Sequence, residues 1–138
     1  MFYISEVTNT APQAFATDLQ ASVYKTLAAL HIPFERVETD EAITMDDCVL
    51  INQKLHMDMV KTLFLCNRQQ TEFYLFITRG DKPFSAKSFS HALGVARPSF
   101  APAELMQSML GTKIGAATVF SMLLDGENRV TVVCRHDR

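Results

Sequence analysis

The sequence lacks the residue patterns of disulfide-linked and metal-binding proteins. Its three cysteines, Cys48, Cys66 and Cys134, include no CxxC pair, and its four histidines show no metal-ligand spacing with them. Free cysteines are among the most frequently buried residues. We therefore expect free, mostly buried thiols, with no disulfide framework and no bound metal.

Long apolar runs are missing as well. The longest, such as residues 116–124, are far shorter than the roughly 20 residues of a membrane-spanning helix, and the N-terminus has no basic cluster before an apolar run. A secretory signal needs that cluster. We therefore expect a cytoplasmic protein without a membrane partner.

The motifs of several large enzyme classes are also absent. The chain contains no GxGxxG, GxxxxGK[ST], GxSxG or HExxH pattern, which argues against the dinucleotide, P-loop, hydrolase-elbow and zinc-protease classes. Asp46 and Asp47 are adjacent carboxylates, but they fall in the first turn of a predicted helix, where acids stabilise the helix dipole. We interpret them as part of a helix start rather than as an acid–base pair.

The composition is that of a globular protein. Of the 138 residues, 48% are hydrophobic and 20% are charged, so residues 1–138 are expected to fold as a single domain around one core. The net charge of −2 conceals a gradient, because residues 1–60 hold nine acidic and three basic side chains, whereas residues 61–138 hold six acidic and ten basic ones. The second half is therefore the better place for an anionic ligand.

Capping patterns and breakers predict four helices. Thr17 precedes Gln20 by three residues and Thr44 precedes Asp47 by three, as in capping boxes, and Gly94 and Gly111 mark helix ends. The predicted helices begin at Thr17, Thr44, Ser85 and Ala101 and end near residues 31, 54, 93 and 111.

Apolar and β-branched runs predict five strands, over residues 34–38, 60–66, 73–77, 116–124 and 129–134. Polar residues 67–71 and the turn residues 125–128 indicate that the last four strands form two hairpins. Helices and hairpins without a regular βαβ alternation favour an α+β fold.

Lys61 does not fit the apolar strand around it, VKTLFL. Lysine is rarely buried without a partner. One interpretation is structural: the aliphatic stem lies on apolar surface and the ammonium reaches water. The other is functional: the ammonium enters a cleft and holds a phosphate or a carbonyl oxygen.

Four segments together resemble the bacterial aminoacyl-tRNA editing family, which includes the insertion domain of prolyl-tRNA synthetase and freestanding homologues. They are residues 60–65 (VKTLFL), 73–81 (FYLFITRGD), 85–89 (SAKSF) and 110–120 (LGTKIGAATVF). Residues 23–44 are similar to the freestanding prolyl-tRNA deacylase branch in particular. The resemblance extends in order over roughly residues 20–134.

The resemblance implies a mixed, largely antiparallel curved sheet with helices packed around it. It also implies hydrolysis of the ester of a mischarged tRNA, most simply alanyl-tRNA(Pro), without metal or other cofactor. Lys61 then matches the family's key polar residue and is the expected catalytic residue. The substrate-binding residues would be Thr44, Gly115, Ala116, Ala117, Thr118 and Phe120, and those contacting tRNA would be Arg79, Lys82 and Lys87.

Each of these positions also has a purely structural interpretation. Gly115 fits an ordinary turn before a strand, Thr44 a helix cap, and the three cations a solvated surface. Val119 and Ser121 stand where the family usually has proline and glycine, and Thr39 where it commonly has histidine. The chain is also shorter than usual, so we expect it to lack the family's C-terminal end.

The alternative function is a binding module of the same fold that recognises an aminoacyl or nucleotide-like ligand without hydrolysing it. For either function the expected partner is the aminoacylated end of tRNA rather than DNA. An association with prolyl-tRNA synthetase stays open, as does the oligomeric state. A subunit role in a larger complex would require an exposed apolar patch.

Overall fold

A computed structural model describes residues 2–41, 44–112, 117–124 and 129–135. The chain divides into two compact units, Met1–Met59 and Val60–Arg138, and each is described by itself. The expectation of a single domain stays a prediction.

Two helices with side-chain caps dominate the first unit. Helix α1 spans Asp18–Ala29, and the Thr17 hydroxyl accepts a hydrogen bond from the Gln20 backbone N–H at 3.0 Å. Helix α2 spans Met45–Leu55 and begins with a complete capping box formed by Thr44 and Asp47. Both predicted helix starts are confirmed, because a capping signal is local and needs no distant partner.

The predicted strand at residues 34–38 is wrong as a regular element. Arg36 forms an isolated antiparallel bridge with Thr8, and Thr39 forms another with Ile4. A strand requires a ladder of successive pairs with a neighbour. The apolar pattern of residues 34–38 gives no information on whether such a neighbour exists.

The described residues of the second unit are built on a four-stranded sheet. Its strands are β1 (Val60–Cys66), β2 (Phe73–Arg79), β3 (Ser99–Phe100) and β4 (Val130–Cys134), in the order β3-β1-β2-β4. The β1–β2 and β1–β3 pairs are antiparallel, which confirms the first predicted hairpin, whereas β4 pairs with β2 in parallel. With its helices, this mixed and largely antiparallel sheet confirms the α+β class.

The second predicted hairpin, formed by residues 116–124 and 129–134, is wrong. Val119–Leu124 forms a 3-10 helix, while residues 116 and 125–128 lie outside the described residues. The described neighbour of β4 is β2, and a parallel pair needs a crossover connection instead of a tight turn. A short apolar run fits a strand or a buried helical turn equally well, and here tertiary packing selects the helix.

Helical segments cover both faces of the sheet. Helix α3 spans Ala86–Leu93, with Ser85 as its N-cap and left-handed Gly94 as its C-cap, which agrees with the predicted bounds. Helix α4 (Ala103–Leu105) continues as a π-helical segment, Met106–Leu110, which ends at left-handed Gly111. The predicted fourth helix is thus present, but its second half is wider than an α-helix.

Successive side chains of β1 and β2 point to opposite faces of the sheet, and they form one core cluster on each face. We call one side the π face, where Phe64 and Leu75 pack with Met106 and Leu110 of the π-helical segment. The other is the α3 face, where Leu65 and Tyr74 pack with Phe89 of α3.

Burial raises the pKa of the Tyr74 phenol, and a 3.0 Å hydrogen bond to Glu72 contributes to the same shift.

All three cysteines are free thiols, but only Cys66 is buried. The expectation of mostly buried thiols is therefore wrong for Cys48, which is half-buried on α2, and for Cys134, which is exposed at the end of an edge strand. Within the described residues, no helix has the length and apolar character needed to cross a membrane.

Candidate active site

Lys61 is the second residue of β1 and is half-buried. Strand alternation places it on the α3 face with Leu63 and Leu65. Its ammonium donates a hydrogen bond to the backbone carbonyl oxygen of Lys82. The side chain therefore does not extend freely into water: its charge is held at the end of the sheet by the turn that follows β2.

The turn after β2 carries two of the predicted tRNA-contacting cations. The Lys82 N–H donates to the Arg79 carbonyl oxygen at 3.1 Å and closes the turn. The guanidinium of Arg79 pairs with Asp81 at 3.2 Å, and both side chains are 63% exposed. This contact is a solvated surface pair of the kind that contributes little to stability.

Lys87 lies close by in sequence, in the first turn of α3, and is exposed. In the described parts of the chain, the ammonium groups of Lys82 and Lys87 have no hydrogen-bonding or ionic partner. Unpaired ammonium groups are available to phosphate oxygens.

Thr78 lies directly across the β1–β2 pair from Lys61 and was not identified from the sequence. It is only 4% exposed, and its hydroxyl has no hydrogen-bond partner among the described residues. A buried hydroxyl without a partner costs about 1–3 kcal/mol. The site therefore contains a polar group whose interactions are incomplete.

We expect Thr78→Val to raise the free energy of unfolding by about 1 kcal/mol, because valine keeps the shape and removes the unpaired hydroxyl. Urea denaturation measures this change. The matched control is Thr62→Val, which replaces a half-buried threonine on the same strand pair and is expected to have a smaller effect. A lower stability of Thr78→Val than of the wild type would show that the hydroxyl has a partner in solution.

The predicted glycine loop is described only in part. Gly115 and Ala116 lie outside the described residues. The Thr118 hydroxyl accepts a hydrogen bond from the Phe120 N–H at 3.3 Å, and Phe120 is 43% exposed. Ala117 packs against the cluster on the π face, whereas Lys61 lies on the α3 face. The structure thus brings Lys61 close to Lys82, and it does not place Ala117 on the same face.

Thr44 lies in the first unit, where its hydroxyl accepts from the Asp47 N–H and the Asp47 carboxylate accepts from the Thr44 N–H, both at 3.2 Å. These contacts are those of a capping box, so the structure shows Thr44 as the N-cap of α2. In the ranges the structure describes, no cluster of three or more His, Cys, Asp or Glu side chains is arranged to hold a metal ion.

Comparison with known proteins identifies the family. Residues 39–134 match the model of the aminoacyl-tRNA editing domain, a range that includes all four segments noted in the sequence. The chain belongs to the aminoacyl-tRNA editing domain family. Membership implies aminoacyl-tRNA as the class of substrate and deacylation as the class of reaction.

The chain is also similar to the prolyl-tRNA editing protein ProX of Acetoanaerobium sticklandii. The two are 28% identical over 116 residues, which cover 84% of this chain and 71% of that protein. This similarity supports the freestanding branch of the family.

Proposed function

We propose that this protein is a trans-editing deacylase that hydrolyses the ester of alanyl-tRNA(Pro) in the cytoplasm without a metal. The observation that carries the proposal is the position of Lys61, a half-buried residue near the start of β1 within the matched family range. An ammonium in this position offers a compact positive charge to an ester carbonyl.

The chemistry requires little of the protein besides this charge. Water attacks the ester carbonyl carbon, and the negative charge that develops on the carbonyl oxygen is stabilised by Lys61. The bond to the ribose oxygen then breaks, which releases alanine and regenerates the free hydroxyl of the terminal adenosine. The resemblance further implies that the other ribose hydroxyl helps to orient the water, which is a positioning effect.

The same hydrogen bond to Lys82 defines how the substrate would enter. Because one N–H of the ammonium donates to the Lys82 carbonyl oxygen, the ester carbonyl has to accept from another N–H of the same ammonium or replace the Lys82 oxygen as its acceptor. Thr44, Gly115, Ala116, Ala117, Thr118 and Phe120 stay predictions as substrate-binding residues.

Binding of the tRNA itself is assigned to Arg79, Lys82 and Lys87. All three lie between the end of β2 and the first turn of α3, and contacts of this kind position a phosphate backbone without reading bases. An association with prolyl-tRNA synthetase belongs to the same proposal, since the cleared tRNA has to be charged again.

The test is incubation of the purified chain with tRNA(Pro) charged with alanine, cysteine or proline, with release of the amino acid as the readout. We expect alanine to be released fastest and KM to rise with salt, because the cationic contacts are electrostatic. Pretreatment with a chelator should leave the rate unchanged. Absence of release from all three substrates would contradict the proposal.

The second candidate is a binding module that keeps the fold without turnover. The observation that favours it is that the Lys61 ammonium already has an acceptor in the Lys82 carbonyl. Such a protein would retain the charged tRNA in a filter-binding assay and leave the ester intact.

A further inference from the structure

A cavity of about 350 Å³ lies in the first unit, and none of the residues assigned above lines it. Its polar wall contains Gln20 and Tyr24 of α1 together with Arg36, Glu38 and Thr39. All of these residues are described and belong to the same unit.

The Arg36 guanidinium lines this cavity and is held in place by two hydrogen bonds. Its Nε–H donates to the Thr10 carbonyl oxygen at 2.6 Å, and one terminal nitrogen donates to Glu38 at 3.2 Å. The Arg36 side chain is only 17% exposed, compared with 64% for Glu38. A guanidinium has five N–H donors, so most of them have no acceptor in the described part of the chain.

Two further side chains with donor groups, Gln20 and Tyr24, line the same cavity. The Gln20 side-chain oxygen accepts from the Ala16 N–H at 2.6 Å, which orients the amide and leaves its NH₂ group without an acceptor among residues 2–41 and the other described ranges. The ring of Tyr24 is held by Phe15 and Phe34, with centroid distances of 5.8 and 5.3 Å. The cavity is therefore rich in donors and suits a ligand with acceptor oxygens.

The charge around the cavity argues against a simple anion. Residues 1–60 contain nine acidic and only three basic side chains, so the surrounding potential repels a phosphate or a dianion. Glu38 is a carboxylate beside the guanidinium and attracts a positive group. A ligand with a negative and a positive group next to each other would complement Arg36 and Glu38.

We propose that the cavity binds a free α-amino acid, with its carboxylate on Arg36 and its ammonium on Glu38. The ligand's two charged groups are attached to one carbon, and the two protein charges are likewise adjacent, at 3.2 Å. The volume is near the lower end of the range for small-molecule sites. Ala14 and Val37 also line the cavity and provide apolar wall for a short side chain. This binding does not depend on the deacylase activity.

The experiment is an NMR titration of the ¹⁵N-labelled full chain with L-alanine and with L-proline. We expect saturable shifts of the Ala14, Gln20 and Val37 amides. Acetate and ethylamine, which each carry only one of the two charges, should bind at least about 10-fold more weakly, as should L-alanine methyl ester, because a hydrogen-bonded charge pair is worth a factor of this size.

Two variants test the assigned groups. Arg36→Met is expected to weaken binding at least about 10-fold, and Glu38→Gln, which keeps a hydrogen-bonding side chain, by a smaller factor. Lys25→Met is the control, because Lys25 is exposed on α1 and does not line the cavity, and it should bind normally. If Arg36→Met does not fold, the proposal is tested by Glu38→Gln and by comparing the affinities of L-alanine, acetate, ethylamine and L-alanine methyl ester.

Equal binding of the ester and the acid would overturn the proposal, as would shifts confined to residues 60–135. If Glu38→Gln bound with unchanged affinity, Glu38 would not contact the ligand's ammonium group, and the proposal of an amino-acid ligand would be wrong. The Lys61→Met variant separates this site from the proposed active site, since it should keep full amino-acid binding.

Discussion

Replacement of Lys61 by methionine is expected to lower kcat for hydrolysis of alanyl-tRNA(Pro) by about 100-fold or more, because loss of one group that stabilises a developing oxyanion has an effect of this size. Methionine keeps an unbranched apolar side chain of similar length, so it fills the same space on the α3 face. It cannot donate to the Lys82 carbonyl or to a substrate oxygen. Single-turnover release of alanine measures the effect on the chemical step.

Two controls separate loss of chemistry from loss of structure. Lys25→Met removes an exposed lysine of the first unit and should leave the rate unchanged. A urea denaturation curve of Lys61→Met should show a loss of only about 1 kcal/mol, the usual net contribution of one hydrogen bond. A folded Lys61→Met variant with the wild-type rate would exclude Lys61 as the catalytic residue, while the family assignment would stand.

The Leu75→Ala variant should show the largest loss of stability, about 3 kcal/mol and within the 2–5 kcal/mol typical of buried leucines. Leu75 is fully buried in the middle of β2 and packs in the cluster of the π face with Phe64 and Leu110. Its strand pairs with β1 on one side and with β4 on the other. A cavity there cannot easily close, because the neighbouring strands are fixed by their hydrogen bonds.

The matched control is Leu93→Ala, since Leu93 is the last residue of α3 and is 42% exposed. It loses less buried area and leaves no enclosed cavity, so we expect a change below about 1 kcal/mol. Both values come from the midpoints and slopes of urea denaturation curves. Equal losses in the two variants would mean that the packing described for β2 does not exist in solution.

The parts of the fold that the sequence predicted are those fixed by neighbouring residues. Thr17, Thr44 and Ser85 cap their helices because each side chain accepts a hydrogen bond from the backbone N–H three residues later. The β1–β2 hairpin follows from two β-rich runs separated by a short polar segment. In each of these cases the interaction partner lies within the same short window of sequence.

The sequence does not predict features that depend on distant residues. The parallel pairing of β4 with β2, the short strand β3 and the isolated bridges of residues 34–39 all require a partner far away in the chain. The apolar run before β4 predicts a strand, although its residues Val119–Leu124 form a 3-10 helix. Hydrophobicity alone did not distinguish burial in a helical turn from burial in a sheet.

The sequence predicts a member of the candidate site only where a residue is of an unusual type for its predicted position. Lys61 stood out because a lysine interrupts an apolar strand. The carbonyl of Lys82 gives no signal in a sequence, since every residue has one, and Thr78 resembles any other strand threonine. The cavity beside Arg36 is formed by residues of α1 and of two segments on either side of it in the chain, and their relative positions are set by tertiary structure.

The parallel position of β4 also has a consequence for how the second unit reaches its native state. The β1–β2 hairpin brings together residues that are close in the chain, so its closure costs little entropy and is fast. Strand β4 joins β2 only after α3 and α4 have been traversed, and such non-local contacts slow folding. When β4 is unpaired, the edge of β2 that it covers presents free backbone groups to other chains, so we expect rapid dilution at low protein concentration to favour correct refolding.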